Sequence, residues 1–463
     1  MEAKTRRVKV SCGSKTHPCP TCGKLGRRKD ILTRDVRSIA FREVVILQVT
    51  YAEYRARCGC CKTFRSSPPG VDPRCLYDNK VRDAVLDRLI EDGMSIPKIL
   101  AAMQRDFYLD LSEGFAYDCI QRRVAELDHA DYRRWTLEKF SGTLCIDELH
   151  LGRHTLLLAT DPIGDFPVAF ALVDSNDADH MRRFLANLKR HGFEPRVVVT
   201  DGSPLYPKLL QELWPEAEHQ LCVFHVLQDI NGHVLDAVKR LRRKLKRRGQ
   251  RGRKRGRGRP KKSARKRRGP TLKDKSHFVF KHRYLIVTKD EHLSDQQRAD
   301  LRTMCEYLPE LRSLRNFVDK VNRLFDPAQS PHQAHCRRAA LLSHATFAAI
   351  PELATAMKML DGDKFDKMIA FLRTSPAPRV GTSPRTRRQR PPVIRTNNHV
   401  ERTNRKLRFF EKSRYKWRRR RSIVRFVLLA FARWRQTHAT TTAWHPDASS
   451  ANSAAHQPKR QAA

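Results

Sequence analysis

The stretch "GTLCIDELHLG", residues 142–152, joins an apolar segment to an acidic pair. Two similar stretches follow after short connections: "HTLLLATDPIG" at 154–164 and "FPVAFALVDSND" at 166–177. Next, "ADHMRRFLANLKRHG" at 178–192 repeats apolar residues at helical spacing, and "PRVVVTDGSPLY" at 195–206 is again β-branched. The pattern predicts three consecutive strands, an amphipathic helix and a fourth strand.

The order of these elements indicates the fold. A further helix over 206–219 and a short fifth strand over 220–226 complete the series. Three strands, helix, strand, helix, strand is the order of the ribonuclease-H-like α/β fold, in which the first and fourth strands lie side by side. Asp147 ends the first strand and Asp201 ends the fourth. We therefore expect these two carboxylates to meet.

Two adjacent carboxylates repel each other unless a cation lies between them. Hard divalent cations prefer oxygen ligands, so Mg²⁺ (or Mn²⁺) is the expected occupant. A third carboxylate, Glu401, lies on a predicted helix that Asn397 or Asn398 can cap. Together the three acids predict a two-metal site for in-line attack on a phosphodiester.

Other acids compete for these roles. Glu148 follows Asp147 directly, but alternation along a strand predicts that its side chain points to the opposite face. Asp161 and Asp174 are interpreted as turn formers at strand ends.

The charge of the chain points to a polyanionic partner. Its 463 residues carry a net charge of +44, which is typical of nucleic-acid binding. Basic residues surround Glu401 and are expected to hold phosphates: Arg402, Arg405, Lys406 and Arg408. The start "MEAKTRRVKV" is not a secretory signal, and the late apolar run at 422–434 is too short and charged to span a bilayer. We expect a cytoplasmic, nucleoid-associated protein with no membrane partner.

Residues 1–76 are predicted to form a zinc ribbon. Two CxxC pairs flank a segment that alternates apolar and polar residues like a β-hairpin. Four thiolates at this spacing suit tetrahedral Zn²⁺ in a structural role, with the ligands Cys19, Cys22, Cys58 and Cys61. Cys60 is interpreted as a non-ligand, because Cys58 and Cys61 have the right spacing.

Residues 77–140 are predicted to form a helix-turn-helix DNA-binding domain. Three short helices are separated by tight turns, and Ser95 and Ser112 can cap the second and third. Polar residues of the third helix, including Arg122 and Arg123, can reach bases or phosphates. The alternative is an ordinary helical bundle between domains.

The core, predicted over 141–235, is interrupted by an insertion over 236–395. A basic loop at 239–270 should be disordered, because it has twenty Lys or Arg between 239 and 268 and no acid. Within the loop, Arg257 and Arg259 resemble an AT-hook for the minor groove, and a non-specific phosphate tether is the alternative. We expect 271–380 to be helical, 396–440 to return to the core with the catalytic helix, and 441–463 to be a disordered tail. The whole is a multidomain α+β protein.

Three blocks of this sequence resemble those of bacterial insertion-sequence transposases of the DDE class. They are "CIDELHLG" (145–152), "VVTDGSPLYPKLLQELWPEAEHQLCVFHV" (198–226) and "NNHVERTNRKLRFFEKSRYKWRRRRS" (397–422). The branch is the one with a zinc ribbon and helix-turn-helix, related to Mutator-like elements. The resemblance implies that Asp147, Asp201 and Glu401 are the acidic triad of a nuclease that cleaves transposon ends and joins the 3′-OH to target DNA.

Cys222 and His225 match the family's C/D-x2-H signature, in which many relatives have Asp instead of Cys. For His225 we expect a role near the metals, with a hydrogen bond to a carboxylate or a phosphate. The alternative is a buried cysteine beside a satisfied core histidine. The expected partners are double-stranded DNA, as transposon ends and target, and further copies of the chain on that DNA. The alternative function is a transposase-derived DNA-binding regulator without catalysis.

Overall fold

The computed structural model describes residues 4–66, 68–72, 74–251, 269–360, 362–374, 393–413 and 419–443. Its strands are β1 Lys4–Ser11, β2 Thr16–Pro18, β3 Leu25–Ala40, β4 Glu43–Arg55, β5 Thr63–Arg65, β6 Thr143–Leu151, β7 His154–Asp161, β8 Phe166–Val173, β9 Val197–Thr200 and β10 Glu218–Leu221. Its helices are α1 Asn79–Ile90, α2 Ile96–Phe107, α3 Glu113–Ala125, α4 His129–Lys139, α5 Ala178–Arg190, α6 Tyr206–Leu213, α7 Val223–Arg251, α8 Leu272–Lys281, α9 Asp295–Tyr307, α10 Leu311–Leu324, α11 Pro331–Leu342, α12 Ala345–Ala348, α13 Pro351–Lys358, α14 Gly362–Met368, α15 Phe371–Thr374, α16 Asn398–Ser413 and α17 Arg420–Ala443. The predicted AT-hook residues Arg257 and Arg259 lie outside the described residues.

The chain divides into two compact units. The first comprises Met1–Trp135, His150–Thr155 and Asn404–Ala463, and the second comprises Thr136–Leu149 and Leu156–Thr403. The predicted ribbon and helix-turn-helix therefore belong to one unit. The C-terminal segment predicted to return to the core is divided, because the first unit includes everything from Asn404 onward.

The first unit begins with a five-stranded sheet in the order β1-β4-β3-β2, with β5 also paired to β4. The predicted hairpin is β3 and β4, which turn at Arg42 with a left-handed φ of 55°. Tyr54 and Phe64 stack beneath it with ring centroids 5.3 Å apart. These rings form a small apolar cluster with Cys19 and the partly buried Cys58 and Cys61.

Helices α1, α2 and α3 form the apolar core predicted for the helix-turn-helix region, and Leu429 of α17 joins that core. Asp78 caps α1 and Ser112 caps α3 through their side chains. The predicted cap at Ser95 is wrong, since its side chain makes no capping hydrogen bond. Pro97 in the first turn of α2 already removes one of the backbone donors that a cap would serve.

The second unit holds a sheet in the order β10-β9-β6-β7-β8. Strand β9 pairs in parallel with both β10 and β6, and Cys145 of β6 lies opposite Val199 of β9. Leu156, Leu157 and Leu158 of β7 are fully buried at the centre. The succession of three strands, helix, strand, helix and strand agrees with the prediction from residues 142–221.

Two predicted boundaries are wrong. Residues 223–226 were expected in the fifth strand, but β10 ends at Leu221 and these residues begin α7. The basic loop was expected to be disordered from residue 239, but α7 continues to Arg251. Its apolar residues at helical spacing, including Val234, Val238 and Leu241, are buried and anchor the helix.

The remaining helices of the insertion, α8 to α15, pack with α7 around one large apolar cluster. The predicted capping box of Ser294 and Gln297 at the start of α9 is confirmed. Gln220 of β10 ties the end of the insertion to the sheet. Its side chain donates to Met368 O at 2.9 Å and accepts from Phe371 N at 2.6 Å. None of the described helices combines the length and apolar character needed to cross a membrane.

Candidate functional site

The parallel pairing of β6 and β9 sets Asp147 and Asp201 at equivalent positions. Each lies two residues beyond the last paired residues, Cys145 and Val199. Both carboxylates are half-buried, and Asp201 Oδ1 accepts from Ser203 N at 2.9 Å. Asp201 directly follows β9, whereas Asp147 lies within β6, which continues to Leu151, so the expectation that Asp147 ends its strand is wrong. Both acids nevertheless lie just beyond the stretch over which β6 and β9 pair.

A hydrogen-bond path connects the residues that precede both acids. Asn397 is fully buried, and its side-chain amide donates to Ile146 O at 2.8 Å. The backbone N–H of Asn397 donates to the Cys222 sulfur at 3.2 Å. The Cys222 N–H in turn donates to Thr200 O at 2.8 Å. Asn397 therefore links the residue before Asp147, through Cys222, to the residue before Asp201.

Asn397 also positions the third acid, Glu401. Glu401 N donates to Asn397 O at 3.1 Å in the first turn of α16. Asn397 was predicted only as a possible helix cap, and it does occupy the position just before α16, which begins at Asn398. Its side chain, however, donates to Ile146 O. Sequence reasoning missed the link because the partner of its side chain, Ile146, lies 251 positions away.

Glu401 lies beside His225 and Cys222. His225 Nε2 is 3.6 Å from Glu401 Oε1, and the ligand atoms of the three residues all lie within 4.8 Å of one another. The pKa of His225 is raised to about 9, first by its hydrogen bond to Cys222 and further by the charges of Glu401 and Asp147. Asp147 and Asp201 are not members of this close group among the described residues.

The acids fit a hard divalent cation. Glu401 Oε1 is buried, and the described residues provide no hydrogen-bond donor for it. Carboxylate oxygens are the ligands that Mg²⁺ prefers, and a cation there would satisfy this oxygen. Sulfur and imidazole suit softer metals, so Cys222 and His225 are poorer ligands for Mg²⁺.

Tyr206 is a site residue that the sequence did not suggest. It is fully buried and donates its hydroxyl proton to Glu148 Oε1 at 2.7 Å. Burial raises the pKa of Tyr206 well above its ordinary value, and the charges of Glu148, Asp201 and Asp147 raise it further. Glu148 therefore has a neutral hydroxyl partner close to both aspartates.

Asp165 anchors the start of α16. It lies in the β7–β8 turn with a left-handed φ of 55°, a conformation in which Asp is enriched. Its Oδ1 is 2.9 Å from His399 Nε2 and 3.1 Å from Arg402 Nη2. Arg402, predicted to hold phosphate, thus already has a carboxylate partner, although 63% of its side chain is exposed.

The other predicted phosphate contacts on α16 differ in their surroundings. Arg405 is exposed. Lys406 Nζ lies 4.2 Å from the ring centroid of Trp434 on α17. Arg408 Nη1 lies 3.1 Å from the buried carboxylate of Glu411. Arg402, Arg405 and Lys406 are thus exposed, whereas Arg408 is partly buried.

On α3, the predicted DNA contacts are paired within the protein. Arg122 lies 2.7 Å from Asp118, and Arg123 lies 3.3 Å from Glu126. Gln121 accepts from Arg425 of α17 at 3.1 Å. These are exposed pairs worth about 0–1 kcal/mol, so a phosphate can displace them at small cost.

The ribbon sulfurs gather, but not as the predicted set of four. Cys19, Cys58, Cys60 and Cys61 lie within 4.8 Å of one another, and Cys22 Sγ is 3.3 Å from Cys60 Sγ. The pKa of Cys19 is lowered to about 6, mainly because backbone N–H groups of Thr21 and Cys22 donate to its sulfur. A thiolate is the form that binds zinc, so the cluster fits that metal. Cys60 belongs to this group, contrary to the expectation from spacing.

Comparison with known proteins identifies the family. A model of the DDE transposase family designated ISL3, described as "Transposase", matches residues 144–378. The match covers the sheet with Asp147 and Asp201 and most of the insertion, and the chain belongs to this family of transposases. It confirms the resemblance to insertion-sequence transposases of the DDE class.

No curated protein matches the chain. Among solved structures, the chain is similar to the "Drosophila P element transposase strand transfer complex", with 13% identity and a TM-score of 0.29. That likeness covers 72% of this chain and 79% of the other chain.

Proposed function

We propose that this protein is the transposase of a bacterial insertion sequence, related to Mutator-like elements, and that it cleaves element ends and joins them to target DNA. The supporting observation is the hydrogen-bond path through Asn397 and Cys222. It relates two acids on a sheet edge to a third acid about two hundred positions later. A protein that only binds DNA has no physical need for this arrangement. The proposal includes a ribonuclease-H-like core.

In this proposal Asp147, Asp201 and Glu401 hold Mg²⁺ or Mn²⁺. When bound, such ions activate the attacking oxygen and stabilise the leaving oxygen of a phosphodiester. The protein's own contribution is positioning. Asp201 is oriented by the Ser203 N–H, and Glu401 is fixed in the first turn of α16 by Asn397.

His225 is proposed to act beside the acids. With a pKa of about 9 it is protonated at neutral pH in the metal-free protein, and it lies 3.6 Å from Glu401. A protonated imidazole here can donate to the Glu401 carboxylate or to an incoming phosphate oxygen. The role proposed for Cys222 is structural, because its sulfur accepts from Asn397 N.

Double-stranded DNA is the proposed partner over several surfaces. Arg402, Arg405, Lys406 and Arg408 would hold phosphates near Glu401. Arg122 and Arg123 of α3 would contact the element ends, with Tyr117 beside them at 51% exposure. The basic segment containing Arg257 and Arg259 would add non-specific affinity. Assembly of several copies on DNA within the nucleoid belongs to the same proposal.

Structural zinc is proposed for the ribbon. Cys19, Cys58 and Cys61 supply three thiolates, and either Cys22 or Cys60 supplies the fourth. The apolar clusters of this sheet, one around Tyr54 and Phe64 and one of Val36, Val49 and Val71, are small, so the metal would contribute to folding.

The test is strand cleavage by three isosteric variants, Asp147→Asn, Asp201→Asn and Glu401→Gln. A labelled duplex carrying the element's end is incubated with protein and Mg²⁺, and binding is measured separately without added divalent metal. Each variant should lose cleavage and retain binding. Glu212→Gln, which removes a surface acid on α6, is the matched control and should cleave normally.

Normal cleavage by any of the three variants would remove that residue from the metal site. If the unmodified protein binds the end tightly but never nicks it, the alternative of a DNA-binding regulator without catalysis replaces this proposal.

A further inference from the structure

Two large aromatic side chains face solvent on the insertion. Phe280, near the end of α8, is 43% exposed, and Tyr284, in the 3₁₀ turn Arg283–Ile286, is 55% exposed. Two arginines lie against them, Arg242 from α7 and Arg283 from the turn. We call these four residues the arginine–aromatic surface.

The neighbouring residues hold this surface in place. Val279 and Ile286 are fully buried, and Leu285 is nearly so. They join the apolar cluster that includes Val238 of α7. The outward direction of Phe280 and Tyr284 is therefore fixed by inward packing of the residues beside them.

Guanidinium groups lie over the rings. Arg242 Cζ is 4.6 Å from the Phe280 centroid, and Arg283 Cζ is 4.3 Å from the centroids of both Phe280 and Tyr284. Arg283 is also fixed by donating to Phe280 O at 2.7 Å and to Tyr284 Oη at 3.1 Å. Flat cationic and aromatic groups are thus held together before any ligand binds.

The surface borders a cavity of about 270 Å³ lined by residues of α7 and of the turn. Among the described residues that line it, the acid is Asp236, which lies 3.4 Å from Lys239 Nζ. With Arg242 and Arg283, these described residues carry three cations and one acid. The net positive charge favours an anionic ligand, and the exposed rings favour one with flat apolar faces.

We propose that the arginine–aromatic surface binds unpaired bases of a DNA strand by stacking. Bases stack on aromatic rings and on guanidinium planes, while the phosphates between them need cations. A paired duplex presents phosphates but hides its base faces, so the selective ligand is the unpaired strand. The inference rests on the proposed function only for the choice of DNA as the nucleic acid.

The experiment compares two probes, a fluorescent oligothymidylate and an abasic strand of the same length. Both carry the same phosphates, but only the first has bases. Binding of the full chain is followed by anisotropy without added divalent metal or chelator, with enough salt to suppress non-specific phosphate contacts. Because no Mg²⁺ is added, the result does not depend on whether the acidic triad cuts DNA.

The variants are Phe280→Ala, Tyr284→Ala and Arg242→Lys. Each aromatic substitution should weaken oligothymidylate binding about fivefold or more and leave abasic binding nearly unchanged. Arg242→Lys keeps the charge but removes the planar group, so it should also weaken oligothymidylate binding selectively. Leu272→Ala, an exposed apolar residue on the same helix, is the matched control and should change neither affinity.

Thermal unfolding of each variant checks that the insertion remains folded. Equal losses on the two probes would show that the surface contacts only phosphate and would overturn the proposal. Unchanged oligothymidylate binding in the folded Phe280→Ala and Tyr284→Ala variants would overturn it as well.

Discussion

Replacing Asn397 should damage catalysis more than DNA binding. In Asn397→Ala the side-chain donor to Ile146 O is lost, while the backbone bond to Cys222 can persist. In Asn397→Asp a carboxylate of the same shape faces that carbonyl, so attraction becomes repulsion. The aspartate also adds negative charge one residue away from Asp147 along the hydrogen-bond path. We therefore expect Asn397→Asp to be the more defective variant.

The expected magnitude follows from burial. Asn397 is fully buried, so deleting its donor leaves a buried acceptor without this partner, at a cost of about 1–3 kcal/mol. If that energy were lost entirely from correct placement of Asp147 and Glu401, cleavage would slow by about fivefold to about 140-fold, at about 1.4 kcal/mol per factor of ten. A displacement of about 1 Å in a catalytic group has effects of this size.

The assay is single-turnover nicking of a labelled end duplex over a series of Mg²⁺ concentrations. Asn397→Ala should reduce the maximal rate and raise the Mg²⁺ concentration needed for half-maximal rate. Affinity for the duplex, measured without added divalent metal, should change less than about twofold, since Asn397 is buried away from solvent.

Asn398→Ala is the matched control, because Asn398 is the adjacent residue and is exposed. It should cleave at nearly the normal rate. The reasoning is refuted if Asn397→Ala cleaves as fast as the unmodified protein with the same Mg²⁺ requirement. Parallel losses of binding and cleavage would show general unfolding instead of misplacement of the acids.

Three further predictions concern other parts of the chain. If the N-terminal cysteines bind zinc, metal analysis should find about one zinc per chain, and Cys19→Ser should lose it. Comparing the zinc content of Cys22→Ser and Cys60→Ser identifies the fourth ligand. Zinc retained in Cys19→Ser would contradict the site. Deleting 252–268, which contains eleven Lys or Arg, should flatten the slope of log affinity against log salt by about two units or more, whereas an unchanged slope would exclude phosphate contact by this segment. Burial and the nearby charge of Lys367 lower the pKa of His219 from 6.5 to about 4. The neutral imidazole therefore contributes to the free energy of unfolding above pH 6.5, and this contribution is lost as the pH falls toward 4. The unfolding temperature of His219→Gln should therefore depend less on pH between 4 and 6.5 than that of the unmodified protein. An equal dependence in the two proteins would show that other groups cause it.

Local patterns were sufficient to predict the sheet that carries the two aspartates. The segment around Val197, Val198 and Val199 is β-branched and ends in turn residues, and it forms β9 as expected. The capping box at Ser294 was equally readable, because all its partners lie within four residues. In both cases the decisive interactions are local or follow directly from the order of elements.

Other features depend on partners that are distant in sequence. The "QLCVFHV" run is too short to distinguish strand from helix, and burial of α7 against the insertion decides that Val223 begins a helix. Cys60 was set aside on spacing, yet the loop brings its sulfur within 2.9 Å of Cys58. The link between Asn397 and Ile146 has no local signal at all.

The position of Glu401 also affects how the protein is made. Asp147 and Asp201 are synthesised before the long insertion, and Glu401 comes after it, on α16. Because the ribosome releases residues in chain order, the N-terminal sheet and the first helices can begin to form before the third acid exists, but Leu429, which joins the core of those helices, is released later still. A translation product that stops within the insertion would lack Glu401 and also the part of the first unit from Asn404 onward. Under the proposed function such a chain could complete neither the set of three acids nor the helical core that Leu429 joins, so only full-length chains would be active.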